Sequence, residues 1–387
     1  MHGSARGRLR PPCLPRAKGL SMRELVELTK KLITFRTMHT RPDEIRRCAD
    51  FIESFLRSIP VDVTRMDCDG IPSLWVLPPT DRVPVLLMSH IDVVAGPESL
   101  FEPVERDGRL YGRGSIDDKY AVALSLVLLA RHVKELAARG HGLERLPFGI
   151  LITGDEEIGG YRGAREALSR IPADFAIALD GGSFKEIIVK EKGIVRLRLI
   201  AQGKTAHGAR PWLGRNAIEI LLEDLMAVKA LFAEQTEDHW HRTLNIGLIH
   251  GGVSVNQVPD RAEAHLDIRY TENDDPDALV DAIRRTVRSH VDVVEREPLF
   301  FGKTSGPVQV LLNLVPGARL GRAHGASDAR FLSQFGIPGI VWGADGEESQ
   351  HAENEHVVIE SLVRLYETLD RFLRIVGFAP PRTKDKK

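Results

Sequence analysis

The chain has 387 residues, of which 43% are hydrophobic and 28% charged, and its formal net charge is −1. That length suits two domains with a large core, and so balanced a charge gives no global reason to expect a nucleic-acid partner. The three cysteines, Cys13, Cys48 and Cys68, make neither a disulfide framework nor a zinc motif, which points to a reducing compartment, most simply the cytoplasm. The longest apolar run, residues 121–130, is interrupted by Ser125 and ended by Arg131. It falls well short of the ~20 residues of a spanning helix and reads as a buried helix, with no membrane role expected.

In chain order, residues 1–21 come first, with five basic residues, three prolines and no acid. They read as a disordered basic extension, with Met22 a natural start, rather than as a transit peptide, because three prolines oppose an amphipathic helix. Residues 23–33 and 44–57 place apolar side chains at helical spacing, as in Ile45, Ala49, Ile52 and Leu56. Short apolar runs then alternate with helices. The runs 83–88, 148–153, 175–179 and 337–342 lack polar alternation, which is the pattern of strands covered on both faces and predicts a mainly parallel sheet flanked by helices.

The character changes near Lys190. In 193–201, Ile194, Val195, Leu197, Leu199 and Ala201 are interleaved with Arg196 and Arg198, the alternation of a half-exposed antiparallel strand. Residues 244–249 and 262–268 also read as strands, with helices at 216–233 and 276–290 between them. The expected architecture is therefore α/β. A discontinuous parallel-sheet domain comprises residues 22–191 and 304–379, a smaller α+β unit at 192–303 is inserted in it, and 380–387 form a loose tail.

Each apolar run is followed by residues with chemistry to offer. His90 and Asp92 follow the first run, and an aspartate there can fix the tautomer of a metal-bound histidine. Asp117 ends Gly112-Arg113-Gly114-Ser115-Ile116-Asp117 and can bridge two cations with its two oxygens; the alternative is that Asp117 or Asp118 caps the helix that follows. In Asp155-Glu156-Glu157, two adjacent carboxylates are costly to bury without cations. With metals, one can ligate while the other takes a proton from the attacking water; otherwise this is a solvated turn. Asp180, in Asp180-Gly181-Gly182, is either a turn residue or a ligand. His351 and His356 lie in one polar stretch, and either could ligate. Ligands bind at the carboxyl ends of strands in open α/β sheets, so these groups can converge on one two-metal site.

In sequence order, Ser89-His90-Ile91-Asp92-Val93-Val94, Tyr111-Gly112-Arg113-Gly114-Ser115-Ile116-Asp117-Asp118-Lys119 and Asp155-Glu156-Glu157 resemble the three N-terminal signatures of the M20 family of metallopeptidases and amidohydrolases. The resemblance runs from about Met22 to Phe378. It implies that His90 and Asp180 hold one zinc, that Glu157 and His351 hold the other, and that Asp117 bridges them. It also implies that Glu156 is the general base, that the Asp117–Asp118 peptide is cis, and that His351 rather than His356 is the ligand. Two Zn2+ are expected, although Co2+ and Mn2+ suit the same mixed donors.

The inserted unit resembles the family's dimerisation domain. By that resemblance a homodimer is expected, with His207, in Gly203-Lys204-Thr205-Ala206-His207-Gly208-Ala209-Arg210-Pro211, reaching the partner's site to stabilise an oxyanion. Asn256, Arg269 and Arg330 resemble substrate-binding positions, the arginines being suited to a planar carboxylate. Without the resemblance, His207 and Arg269 would be ordinary surface residues and Arg330 a salt-bridging helix residue. Two departures pull apart. At position 180 this chain has Asp, which is more typical of the family's aminopeptidases and dipeptidases, whereas its deacylases and carboxypeptidase usually carry Glu. The segment Ala326-Ser327-Asp328-Ala329-Arg330, by contrast, is similar to a desuccinylase substrate loop. The expected function is hydrolysis of an amide or peptide bond in a small carboxylate-bearing substrate, a dipeptide or short peptide first. N-acyl amino acid deacylation (of the succinyl-diaminopimelate or acetylornithine type) is the alternative, and a non-catalytic binding protein on the same fold is the rival from another class.

Overall fold

The computed structural model describes residues 22–302 and 306–377. The basic extension and the tail expected at 1–21 and 380–387 lie outside the described residues. The body is a nine-stranded mixed sheet. At its centre, Gly149–Thr153, Leu86–His90, Ala176–Ala178 and Gly339–Val341 lie side by side and parallel. Antiparallel strands flank them: Thr64–Cys68 and Ile71–Val76 on one side, Glu186–Glu191 and Phe300–Phe301 on the other. Arg319–Ala323 pairs parallel with Glu186–Glu191.

The unbroken apolar runs have a simple cause. Successive side chains point to opposite faces, and both faces are covered. Val85, Leu87, Ile150, Ile152 and Ile177 pack into one core with the helices Met22–Ile33, Pro42–Leu56, Lys119–Ala138 and Ile359–Val376. Leu86, Met88, Leu151, Ala176 and Ala178 pack into a second core with the short helices Ala164–Leu168 and Arg330–Gln334. Full burial of one such large apolar side chain stabilises by about 1.5–3 kcal/mol. Residues 121–130 are buried along the middle of Lys119–Ala138, as an interior helix should be. Among the described residues no helix is long and apolar enough to cross a membrane.

A separate four-stranded antiparallel sheet runs in the order Thr243–Gly251, Arg261–Tyr270, Gly193–Gln202, His290–Glu297. Its buried face and the helices Ala217–Ala230 and Pro276–Thr286 share a third core. The chain enters this sheet directly after Glu191 and leaves it at Glu297; Phe300–Phe301 already pairs with Lys190 and Glu191 in the large sheet.

The helix expected over 276–290 stops at Thr286, and His290–Glu297 is a strand instead. Buried Asp224 accepts the amides of Arg288 and Ser289, which draws the chain out of the helix. The strands Thr64–Cys68, Ile71–Val76, Glu186–Glu191 and Arg319–Ala323 were not expected from sequence. All four are short; three mix their apolar residues with charge, and Ile71–Val76, although apolar and buried, is broken by Pro72 and Ser73.

Candidate metal centre

The four central parallel strands carry the site at their carboxyl ends. His90 is the last residue of Leu86–His90, and Asp180 lies just past Ala176–Ala178. Glu156 and Glu157 open a single 3-10 turn, Glu156–Ile158, beyond Gly149–Thr153. His351 follows the turn Glu347–Ser349, beyond Gly339–Val341. Asp117 comes from the loop that enters the helix Lys119–Ala138, and its peptide bond to Asp118 is cis. Gly114 in this loop has φ +84°, and a Cβ there would lie 2.7 Å from the Lys119 Cδ. Only glycine meets both demands without strain.

Asp118 occupies the helix N-cap position, yet its side chain makes no capping bond. Its carboxylate accepts the His90 amide at 3.3 Å instead. Capping therefore does not account for either aspartate. Asp180 is followed by a real turn, as its Asp-Gly-Gly sequence suggests, and its carboxylate also faces His90.

Two donor triads result, His90–Asp117–Asp180 and Asp117–Glu157–His351, each with one ligand atom per residue within 4.8 Å of the others. His90 Nε2 lies 2.9 Å from Asp117 Oδ1 and 3.7 Å from Asp180 Oδ2. His351 Nε2 lies 3.1 Å from Asp117 Oδ2 and 3.2 Å from Glu157 Oε2. Asp117 thus turns one oxygen to each triad. His356, the other candidate, lies in the strand His356–Val358 against the Tyr111 ring, outside both triads.

A pair of cations fits these donors. The Nδ1–H of His90 donates to the Asp92 carbonyl at 3.0 Å, so Nε2 is the atom turned to the triad. Although Nε2 and Asp117 Oδ1 are 2.9 Å apart, both are buried and neither has a hydrogen-bond partner. Buried polar atoms are rarely left so. Mixed imidazole and carboxylate donors are those that zinc, cobalt and manganese accept.

The charge balance agrees. Burial pushes the Asp180 carboxyl well above the usual range, and Asp117 adds to the shift. Burial and Asp180 do the same to Glu156. His351 is raised to about 10 by its bonds to Asp117 and Glu157. Such an excess of negative charge in a buried site is what bound cations relieve.

Asp92 is buried and holds the centre together. Its Oδ1 accepts the Glu156 amide at 3.2 Å and its Oδ2 the Glu157 amide at 2.9 Å. His39 Nε2 donates to Oδ2 at 2.9 Å. Burial alone would raise the Asp92 carboxyl, but His39 and His90 outweigh it and hold it at about 2.

His39 escaped sequence reasoning, having no local pattern. Two further residues did as well. Buried Arg113 pairs with Glu355 and donates to the His351 carbonyl at 3.1 Å, while Glu355 accepts the Gly114 amide at 2.7 Å. This pair ties the Asp117 loop to the His351 loop. Arg113 lies in the glycine-rich segment that ends at Asp117, and Glu355 in the polar stretch between His351 and His356, but nothing in sequence joins positions so far apart.

The remaining expected site residues lie elsewhere. His207 is exposed and pairs in register with Gln257, next to exposed Asn256. Its Nδ1 accepts the Ala209 amide at 3.0 Å, which leaves Nε2–H free to donate. Arg269 turns its guanidinium to Asp267 at 2.7 and 3.3 Å. Arg330, expected either to anchor a substrate carboxylate or to lie on a helix surface, is buried with 3% exposure. None of His207, Asn256, Arg269 and Arg330 bonds to either triad among the described residues; Arg330 Nη1 comes within 3.9 Å of Oε1 of Glu156, which lies outside both.

A family model described as "Peptidase family M20/M25/M40" matches residues 86–375. A probable carboxypeptidase from Arthroderma gypseum is 29% identical over 302 residues, 70% of this chain and 63% of that protein, so the chain spans less than two thirds of that relative's length. A succinyl-diaminopimelate desuccinylase from Alkalilimnicola ehrlichii is 29% identical over 388 residues, 92% of this chain and 100% of that one. Among solved structures, a tripeptidase from Staphylococcus aureus superposes with TM-score 0.74 at 21% identity, covering 94% of this chain and 100% of that one. An aminopeptidase from Bacillus cereus gives 0.71 at 23%, covering 93% and 100%. These structural likenesses are of fold. The family match over most of the chain, on the sheet whose strand ends carry the two triads, shows that this chain belongs to peptidase family M20/M25/M40, a family of metallohydrolases.

Proposed function

We propose that the chain is a two-metal hydrolase that cleaves an amide or peptide bond in a small carboxylate-bearing substrate, most directly a dipeptide or short peptide. The observation that carries this reading is Asp117, whose two oxygens face two separate donor triads. His90 and Asp180 would hold one zinc, Glu157 and His351 the other, and Asp117 both. Bound divalent metals supply a Lewis acid and make water acidic enough to react near neutral pH.

Glu156 lies beside the triads without joining either. Burial and Asp180 raise its proton affinity, which suits a group that takes a proton from the attacking water and returns it to the leaving amine. Asp92 fixes the Glu156 backbone. The partner subunit's His207 would donate its free Nε2–H to the developing oxyanion. Asn256 and Arg269 would contact the substrate.

A homodimer is supported by the surface of the small sheet. Its edge strand Thr243–Gly251 exposes Leu248 and Ile249, and the helix Ala217–Ala230 exposes Leu222 and Met226, one turn apart. An apolar, unpaired edge is a liability that pairing with a second copy removes. The unit at 192–303 would then be the dimerisation domain and the rest of the α/β body the catalytic one. The cytoplasm is the proposed location.

The second reading is deacylation of an N-acyl amino acid. The alignment that spans the whole of the desuccinylase from Alkalilimnicola ehrlichii favours it. Primary-amine release by the zinc-loaded protein decides between the two. The panel contains dipeptides and tripeptides beside N-acetylornithine and N-succinyl-diaminopimelate, with Glu156→Gln as the blank. Turnover of peptides alone supports the first reading, and turnover of acyl amino acids alone replaces it with the second. Metal binding without turnover of either class would leave a binding protein.

A further inference from the structure

Segment 326–330 touches both places where the chain crosses between the two sheets. On the outgoing side, the Ser327 amide and hydroxyl both donate to the Glu191 carboxylate, at 3.1 and 2.9 Å. Glu191 is the last residue of its strand before the small sheet begins at Gly193. On the return side, Arg330 Nε lies 3.3 Å from Glu297 Oε2. Glu297 is the last residue of the small sheet, and only 2% of it is exposed.

The same segment reaches the base. Asp328 Oδ2 accepts from the Thr153 hydroxyl at 3.2 Å, at the end of the strand that leads to Glu156. Arg330 Nη2 donates to the Gly159 carbonyl at 2.8 Å, and Nη1 lies 3.9 Å from Glu156 Oε1. Nη1 also donates to the Ser327 carbonyl at 2.6 Å, and the guanidinium lies over the Phe331 ring at 4.7 Å.

A guanidinium holds a substrate carboxylate with two parallel N–H donors. Here each terminal nitrogen already gives an N–H to a backbone carbonyl of the protein, and the group is buried with 3% exposure. The contact to Glu297 is the loose one, since Arg330 Nε and Glu297 Oε1 both lack a hydrogen-bond partner.

We infer that Arg330 is a positioning residue that fixes Glu156 relative to the crossings between the two sheets, so that the seating of the small sheet on the body governs the placement of the base. Arg330 does not anchor the substrate. This rests on the reading of Glu156 as the base.

The test compares Arg330→Met, Arg330→Lys and Glu297→Gln with wild type. The substrate is whichever of alanylalanine and N-succinyl-diaminopimelate is turned over faster, together with its carboxyl amide. In Arg330→Met, kcat falls by about 10–100-fold while KM stays within about threefold and the preference for free acid over amide is kept. Arg330→Lys recovers part of the loss, and Glu297→Gln lowers kcat several-fold. Hydrogen exchange supplies a readout that needs no substrate. The amides of Ile158, Gly159 and Gly160 close the base turn through bonds to Asp155 and Glu156, and they exchange faster in Arg330→Met and Glu297→Gln.

A raised KM with unchanged kcat and a lost acid preference in Arg330→Met would overturn the proposal in favour of a substrate anchor. Wild-type kcat and wild-type exchange in Glu297→Gln would overturn it whether or not Arg330→Met folds. If wild type turns over neither substrate and the base turn still loosens in both variants, the positioning stands and the hydrolase reading is what has failed.

Discussion

Asp92 takes the backbone amide of Glu157 on one carboxylate oxygen at 2.9 Å, and its other oxygen takes the amide of Glu156 at 3.2 Å. The residue expected only to orient His90, which it meets through its backbone carbonyl, therefore also presents both glutamates, so one buried residue positions His90 of one donor triad, Glu157 of the other, and the proposed base Glu156. Asp92→Asn keeps the shape but replaces one acceptor oxygen with a donor, which opposes one of the two amides. The expected result is a loss of about 10–100-fold in metal affinity or kcat, read by metal titration and steady-state kinetics. Wild-type behaviour on both counts would mean that the backbone holds this turn unaided.

The shared role of Asp117 is open to counting. Wild type should bind two metals per chain. His90→Ala and His351→Ala should each keep one, because the other triad stays intact, whereas Asp117→Ala should bind neither tightly. Elemental analysis after dialysis against a weak chelator gives the stoichiometry. One metal lost in Asp117→Ala, as in either histidine variant, would show that Asp117 belongs to one triad alone.

His207 presents a free Nε2–H at an exposed position and bonds to neither triad among the described residues. If the site is completed across a dimer, His207→Ala and Glu156→Gln should each be nearly inactive as pure proteins. Mixed and allowed to exchange subunits, they should regain up to about one quarter of wild-type activity, through mixed dimers with one intact composite site. No recovery, with exchange verified by mass spectrometry, would place the function of His207 within its own chain.

Far from the site, Asp370 pairs with His132 Nε2 at 2.7 Å and with Arg374 at 2.9 Å, joining the helices Lys119–Ala138 and Ile359–Val376. Burial alone would raise its carboxyl, but His132 and Arg374 outweigh burial and hold it below the ordinary carboxylate range. A depressed pKa means that the stabilisation is complete above the unfolded value and is lost as pH falls towards the folded one. Asp370→Asn should therefore cost about 2 kcal/mol near neutral pH, and the gap from wild type should close in acid. Urea titrations from pH 7 down to pH 3 check this; a gap that does not change with pH would assign the loss to packing.

Chemistry and fold class were legible in the sequence to different depths. The runs before His90, Glu156, Asp180 and His351 are apolar without alternation because both faces of the central sheet are covered. That local pattern identified the strands and placed chemistry-bearing residues at their carboxyl ends. The alternation in 193–201 likewise marked the antiparallel strand Gly193–Gln202, although only Arg196 and Gln202 in it are exposed, so it is more buried than the half-exposed strand expected. These readings succeed because periodicity records which faces are buried, and each residue carries that record where it stands.

What the tertiary structure decided are relationships between distant positions. The helix expected through His290 ends at Thr286 because Asp224, from another element, claims the amides that would have continued it. His39 reaches Asp92, and Arg113 reaches Glu355, across gaps that no local pattern spans. Arg330 shows the difference most directly. Its motif left open a substrate carboxylate or a salt bridge on a helix surface, and the fold buries it with bonds to the Gly159 and Ser327 carbonyls and with Glu297 3.3 Å away. A sequence specifies which charges a chain carries, but only the packed fold determines which of them are desolvated and what each must then pair with.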